Sequence, residues 1–138
     1  MRQAILDTGP LVAFFNPRDR YHTWALEQTR DLAAPLVTCE AVLTEAYHLL
    51  GRVPRARAAL RRWIRLGRVT TPLHFDEQAH EVMRLLEQYA DQSMDFADAC
   101  VVRLAELLEL PVFTLDVQDF SVYRLHRRKT ISLIRPPA

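Results

Sequence analysis

The sequence predicts an α/β fold, a single-domain α/β/α sandwich in which helices cover a short-stranded, mainly parallel central sheet. Short apolar runs alternate with longer amphipathic stretches, the pattern of right-handed crossover units. No internal repeat, low-complexity tract or interdomain linker interrupts that alternation. The length of 138 residues suits one hydrophobic core, so residues 1–138 are read as one domain.

The elements follow in order. Residues 2–6 end in Ile5-Leu6 and are cut off by Asp7-Thr8-Gly9-Pro10, which predicts a buried strand, a turn and a helix start. Leu11 to Asn16 supplies the first helical turn or two. Tyr21 to Leu32 reads as a helix closing before Pro35, and Leu36-Val37-Thr38 as a second strand. A helix from Cys39 to Leu50 stops at Gly51. Pro54 suits the first position of a helix reaching Leu66, with Leu60, Trp63 and Ile64 on its buried side; Gly67 stops it, and Val69-Thr70-Thr71 forms a third strand. Phe75 to Tyr89 and Asp95 to Leu110 are two further helices. Pro111 ends the second of these, Val112-Phe113-Thr114-Leu115 is the clearest strand, and Ile131 to Ile134 is the last. Gln118 to Thr130 reads as the longest irregular segment.

Hydrophobic residues at 49% and charged residues at 25% describe a soluble globular chain. No apolar run approaches the roughly 20 residues needed to span a bilayer, and the N-terminus meets Asp7 too early for a signal-peptide core. A cytoplasmic protein is expected. Cys39 and Cys100 lack metal-ligand spacing and read as buried free thiols. Net charge is only +1, yet it is uneven: no acid lies between Glu45 and Asp76, an interval holding Arg52, Arg55, Arg57, Arg61, Arg62, Arg65 and Arg68. Arg57, Arg61 and Arg65 recur every four residues and form one helical stripe, either a basic track for phosphates or a solvated face.

The acids outside that interval carry the chemistry. Asp7 follows the first strand and Asp116 follows the strand ending at Leu115, so both project from the carboxyl edge of a parallel sheet, where ligands of open α/β sheets bind. Asp98, in the first turn of its helix, opens onto the same edge. Glu45 has Val42, Ala46 and Leu49 as helical neighbours, which places it on or beside an apolar stripe facing inward. Singly, an Asp after a strand is a turn residue and an Asp in a first turn offsets the helix dipole; together, converging carboxylates without local Lys favour a hard divalent cation, Mg²⁺ or Mn²⁺. Asp95 fits an N-cap three residues before Asp98, and Asp119 is either a supporting acid or the cap of a short helix. The five histidines show no ligand spacing, no serine sits in a Gly-x-Ser-x-Gly elbow, and three glycines cannot build a nucleotide-cradling loop.

These residues also resemble a known family. Ile5-Leu6-Asp7-Thr8-Gly9-Pro10-Leu11-Val12-Ala13 is similar to the opening of a PIN domain, the fold of the VapC-type toxin ribonucleases. Thr44-Glu45-Ala46 resembles the family's glutamate segment, Phe96-Ala97-Asp98-Ala99-Cys100 its aspartate-alanine pair, and Phe113-Thr114-Leu115-Asp116-Val117-Gln118-Asp119-Phe120 its threonine-x-aspartate segment. The resemblance implies Asp7, Glu45, Asp98 and Asp116 as catalytic, metal-binding acids, Asp119 as a fifth candidate, and Thr8 and Thr114 as hydroxyl helpers. It implies an endoribonuclease using Mg²⁺ or Mn²⁺, the toxin of a toxin–antitoxin pair, with a small antitoxin as partner and a homodimeric state. A housekeeping RNA-processing nuclease and a non-catalytic RNA- or protein-binding module are the alternatives.

Overall fold

The computed structural model describes residues 1–138. Seven two-residue strands occur: β1 (Ile5–Leu6), β2 (Leu36–Val37), β3 (Val69–Thr70), β4 (Val112–Phe113), β5 (Arg124–Leu125), β6 (Lys129–Thr130) and β7 (Leu133–Ile134). Five of them form one sheet in the order β3-β2-β1-β4-β7 with every pair parallel, while β5 and β6 make a separate antiparallel hairpin. The strand residues of β1, β2 and β4 are buried without alternation because helices cover both faces of the sheet, as parallel sheets require.

Seven helices connect them: α1 (Thr8–Phe15), α2 (His22–Arg30), α3 (Glu40–Leu49), α4 (Ala56–Arg65), α5 (Phe75–Gln88), α6 (Phe96–Leu108) and α7 (Val117–Val122). α6 is the central one. Its residues Ala97 to Val102 and Leu104 to Glu106 are all buried, and the small side chains among them let it lie close against the sheet. Thirty-five buried residues form one continuous hydrophobic cluster. No helix is long and apolar enough to cross a membrane.

The strand-and-helix alternation read from the sequence is present, with differences at particular places. α1 begins at Thr8, so Asp7 occupies its N-cap position and the Leu11 start is too late. Pro54 does not open α4: Arg55 stands between them at φ 64°, in the left-handed region, so the chain turns sharply before the helix starts at Ala56. Leu60 buries as expected, but Ile64 is 42% exposed. Residues 118–130 are ordered into α7 and the hairpin. The hairpin turn places His126 and Arg127 both at positive φ, a conformation that Asn-Gly ordinarily announces, so its sequence signal was missing.

Candidate active site

The chain steps outward from β1 through β2 to β3, then returns to pair β4 on the other side of β1. At such a reversal the segments leaving the two neighbouring strands diverge to opposite faces and open a crevice at their carboxyl ends. Asp7 leaves β1 there directly, and Thr114-Leu115-Asp116 leaves β4. Gly9 lets the two segments approach, since a Cβ on it would lie 3.0 Å from Leu115 Cδ1.

Hydrogen bonds fix the acids in place. The Thr114 hydroxyl, fully buried, donates to Asp7 Oδ2 at 2.7 Å and accepts the Asp116 backbone N–H at 2.9 Å, tying the two strand ends together. Asp95 caps α6 by accepting the Asp98 N–H at 2.7 Å, as its spacing predicted. The Tyr123 hydroxyl donates to Asp98 Oδ2 at 2.8 Å. Asp116 caps α7, accepting the Asp119 N–H at 3.2 Å, so of the two readings of Asp119 the cap falls to Asp116 and the supporting acid remains.

One carboxylate oxygen each from Asp98, Asp116 and Asp119 lies within 4.8 Å of the others. Asp98 and Asp116 line a cleft of about 500 Å³ with Asp7, Thr8, Asp19, Glu45 and Asp95, and no Lys or Arg is among its lining residues. Asp7, Glu45, Asp98 and Asp116 therefore share one cleft, while Asp119 joins it only through its closeness to Asp98 and Asp116. The inward orientation argued for Glu45 does not hold, because its side chain is exposed on the α3 side of the cleft. Val42 and Ala46 bury, but Leu49, four residues on, is 53% exposed, so Glu45 lies on the side of α3 that turns away from the core. Sequence reasoning missed Asp19, which lines the cleft, and the buried Tyr123, which holds Asp98.

Burial pushes Asp7 up to about 6, outweighing the hydrogen bonds from Thr114 and from the Thr8 backbone that favour its anion, and Asp116 and Asp95 add repulsion. Asp98 rises to about 7, first through burial, with Asp95 and Asp7 as neighbouring charges, against the opposing hydrogen bond from Tyr123. Asp119 is raised as well, by desolvation and by Asp116. Burial and the Asp98 contact raise the Tyr123 hydroxyl, so it stays protonated and remains a donor. Thr8 Oγ1 is buried without any hydrogen-bond partner, an orphaned polar atom at the cleft wall. Oxygen donors held close together, with no cationic side chain lining the cleft, fit a hard divalent cation.

A stability test follows. Asp7 and Asp98 have folded-state values above their ordinary 3.8, so between about pH 4 and pH 7 the unfolded chain sheds protons that the native protein retains. Stability of the metal-free protein should fall as pH rises through that window, giving a lower melting temperature at about pH 8 than at about pH 5. Asp98→Asn should flatten the slope. Millimolar Mg²⁺ or Mn²⁺ should raise the wild-type melting temperature at the higher pH and do little at the lower one. A metal-free profile rising from pH 4 to 7, or one unaltered by Asp98→Asn, would contradict the assigned burial of these acids.

The arginine stripe is less free than its spacing implied. Arg57 is only half exposed: its Nε donates to the Tyr47 carbonyl at 2.7 Å and its guanidinium lies 4.6 Å from the Tyr47 ring centre, closing the end of α3. Arg61 donates to the Tyr47 hydroxyl at 2.9 Å, and Arg65 is exposed.

A parallel sheet whose switch-point crevice is walled by carboxylates defines the class: an α/β protein with an acidic pocket suited to a cation. The chain belongs to the PIN domain family, whose model matches residues 4–124 and so takes in every acid of the cleft. Among solved structures it is similar to VapC20 of Mycobacterium tuberculosis, described as a Sarcin-Ricin loop cleaving toxin. The TM-score is 0.69 at 22% identity over 83% of this chain and 91% of that one. It is also similar to a structure of VapBC2 from Rickettsia felis bound to a DNA fragment from their promoter, with a TM-score of 0.64 at 12% identity over 99% of this chain and 100% of that one. Identities this low describe a shared fold. A comparison with curated protein sequences gives no match.

Proposed function

We propose that this chain is a Mg²⁺- or Mn²⁺-dependent endoribonuclease and the toxin of a toxin–antitoxin pair. The observation that carries the reading is the convergence of Asp98, Asp116 and Asp119 oxygens within 4.8 Å, beside a cleft that Asp98 and Asp116 line together with Asp7 and Glu45. Membership of the PIN family and the fold likeness to VapC20 and VapBC2 support it. Asp7, Asp98, Asp116 and Asp119 are the residues that would hold the cation. A bound divalent ion makes water a better nucleophile and neutralises charge growing on a phosphate.

The remaining roles fall to the chain itself. Thr114 orients Asp7, Tyr123 orients Asp98, and Asp95 fixes the first turn of α6. Thr8, with an uncommitted hydroxyl, can donate to a phosphate oxygen. The Glu45 carboxylate, in α3, makes no hydrogen bond to another group of the protein and stands exposed at the cleft, free to accept the proton of an attacking water. An antitoxin would block the reaction by covering the acids, and the toxin is expected to pair as a homodimer.

The test is incubation of purified protein with mixed RNA in Mg²⁺, in Mn²⁺ and in chelator. Internal cleavage with either metal and none in chelator supports the nuclease. Binding of RNA without cleavage under every metal would favour a non-catalytic PIN module instead.

A further inference from the structure

A larger groove, of about 700 Å³, lies beyond the acidic cleft, between the end of α1 and the start of α4. Arg18, Arg52 and Arg55 line it, and no acid does. All three are exposed, and none makes a salt bridge or a side-chain hydrogen bond. Their backbones are nonetheless fixed: the Arg18 N–H is bound by Asn16 Oδ1 at 3.1 Å, Arg52 ends a 3₁₀ turn (Leu50–Arg52), and Arg55 holds its left-handed conformation at φ 64°. A non-glycine residue in that region recurs at ligand-binding positions, where surrounding structure maintains it. Phe15, Val53 and Pro54 give the groove an apolar floor.

The groove adjoins the cleft along two stretches of chain. Arg18 faces the groove while its neighbour Asp19 lines the cleft, and Leu49 lines the cleft three residues before Arg52. α1 spans both, with Thr8 and Gly9 at the acids and Phe15 at the arginines, about 10 Å apart at 1.5 Å per residue. A polyanion brought to a wall of carboxylates meets repulsion, and cations placed a few nucleotides along its backbone offset it. The geometry points to Arg18, Arg52 and Arg55 as the site that holds the phosphates of single-stranded RNA flanking the cut bond, an inference that rests on the ribonuclease reading. An apolar floor beneath a row of cations suits a single strand, whose bases can lie against it. The stripe of Arg57, Arg61 and Arg65 then plays a smaller part, because Arg57 and Arg61 are bound to Tyr47.

The experiment compares wild type with a triple variant, Arg18→Gln, Arg52→Gln and Arg55→Asn, the last chosen because Asn tolerates the left-handed region. A second variant, Arg61→Gln with Arg65→Gln, serves as the comparison, and melting curves establish that each is folded. Binding of a labelled single strand of about 12 nucleotides is followed in chelator across salt concentrations. Loss of three phosphate contacts should reduce the salt slope by about 2, so that wild type loses roughly 20-fold more affinity than the triple variant between about 50 and 200 mM salt. The Arg61/Arg65 variant should keep a slope closer to wild type. In metal, the triple variant should raise KM for the long strand with kcat unchanged, and leave both constants unaltered for a trinucleotide. A folded triple variant with the wild-type slope overturns the inference, and if it has also lost affinity for poly-glutamate, the groove belongs to an acidic polypeptide. Should wild type cut no RNA in any metal while the slopes still differ as expected, the catalytic reading fails and the groove stands as an RNA site.

Discussion

Asp7→Asn is expected to leave the fold intact and lower RNA cleavage by about 100-fold or more, the range at which disturbing even the supporting partners of a metal site begins. Asn matches Asp in size, and its carbonyl can still accept the Thr114 hydroxyl that now reaches Asp7 at 2.7 Å. What disappears is a negative charge 7% exposed to solvent. The defect should lie in kcat, with RNA binding kept or strengthened as repulsion from phosphate weakens. Stability should move the other way. Asp7 ionises only near pH 6 in the folded protein, so removing its charge should raise the melting temperature of the metal-free protein at about pH 8. Equal cleavage by wild type and variant would remove Asp7 from the site.

The second large effect lies away from the chemistry. Glu106, with its side chain fully shielded from solvent, accepts from Arg84 at 2.8 Å, from Arg103 at 3.1 Å and from the His126 backbone N–H at 2.7 Å. It joins α5, α6 and the β5–β6 hairpin at one point. Glu106→Gln puts an amide among three donors and leaves two guanidinium groups without their anion, although Glu81 and Gln78 still reach Arg84 and Arg103. Destabilisation of about 3 kcal/mol is expected, since removing one partner of a buried pair strands the others. That corresponds to a melting temperature lower by roughly 10 °C. Replacing the group together, with Glu106→Leu, Arg84→Met and Arg103→Met, should recover most of the loss. Activity per folded molecule should be unaltered, because Glu106 lies two turns along α6 from Asp98, about 12 Å away. A Glu106→Gln melting curve superimposable on wild type would mean that the cluster contributes nothing net.

The acids that sequence alone located are those whose position follows from the backbone. Asp7 and Asp116 were legible because a residue just past a parallel strand must emerge at the sheet's carboxyl edge, and Asp98 because a crossover helix begins there. Glu45 was located through the wrong intermediate: Val42 and Ala46 bury, but Leu49 is exposed, so the apolar stripe is narrower than the sequence suggested and Glu45 lies outside it. Tyr123 could not be read at all. It lies in a stretch without periodicity, and its hydroxyl meets Asp98 only because the chain after α7 returns against α6 as it enters β5. The turn at Arg55 and the hairpin at His126-Arg127 escaped for a related reason: both adopt positive φ without the glycine or asparagine that usually signals it. In the arginine-rich interval, spacing made Arg57, Arg61 and Arg65 conspicuous, while Tyr47 takes up two of them.

The place of β1 in the middle of the sheet bears on when the protein becomes active during its synthesis. β1 is made well before β4, which it pairs with and which comes more than a hundred residues later, as the separation of Thr114 from Asp7 shows. Such a non-local pairing folds slowly, because a long loop must close before any contact rewards it. At typical translation speeds Asp116 appears roughly 5 to 20 s after Asp7. Until then Asp7 lacks Thr114, and Asp98 still awaits Tyr123. A nascent chain thus carries Asp7 and Glu45 well before the centre assembles, and the acidic site is complete only once the segment through Tyr123 has been made.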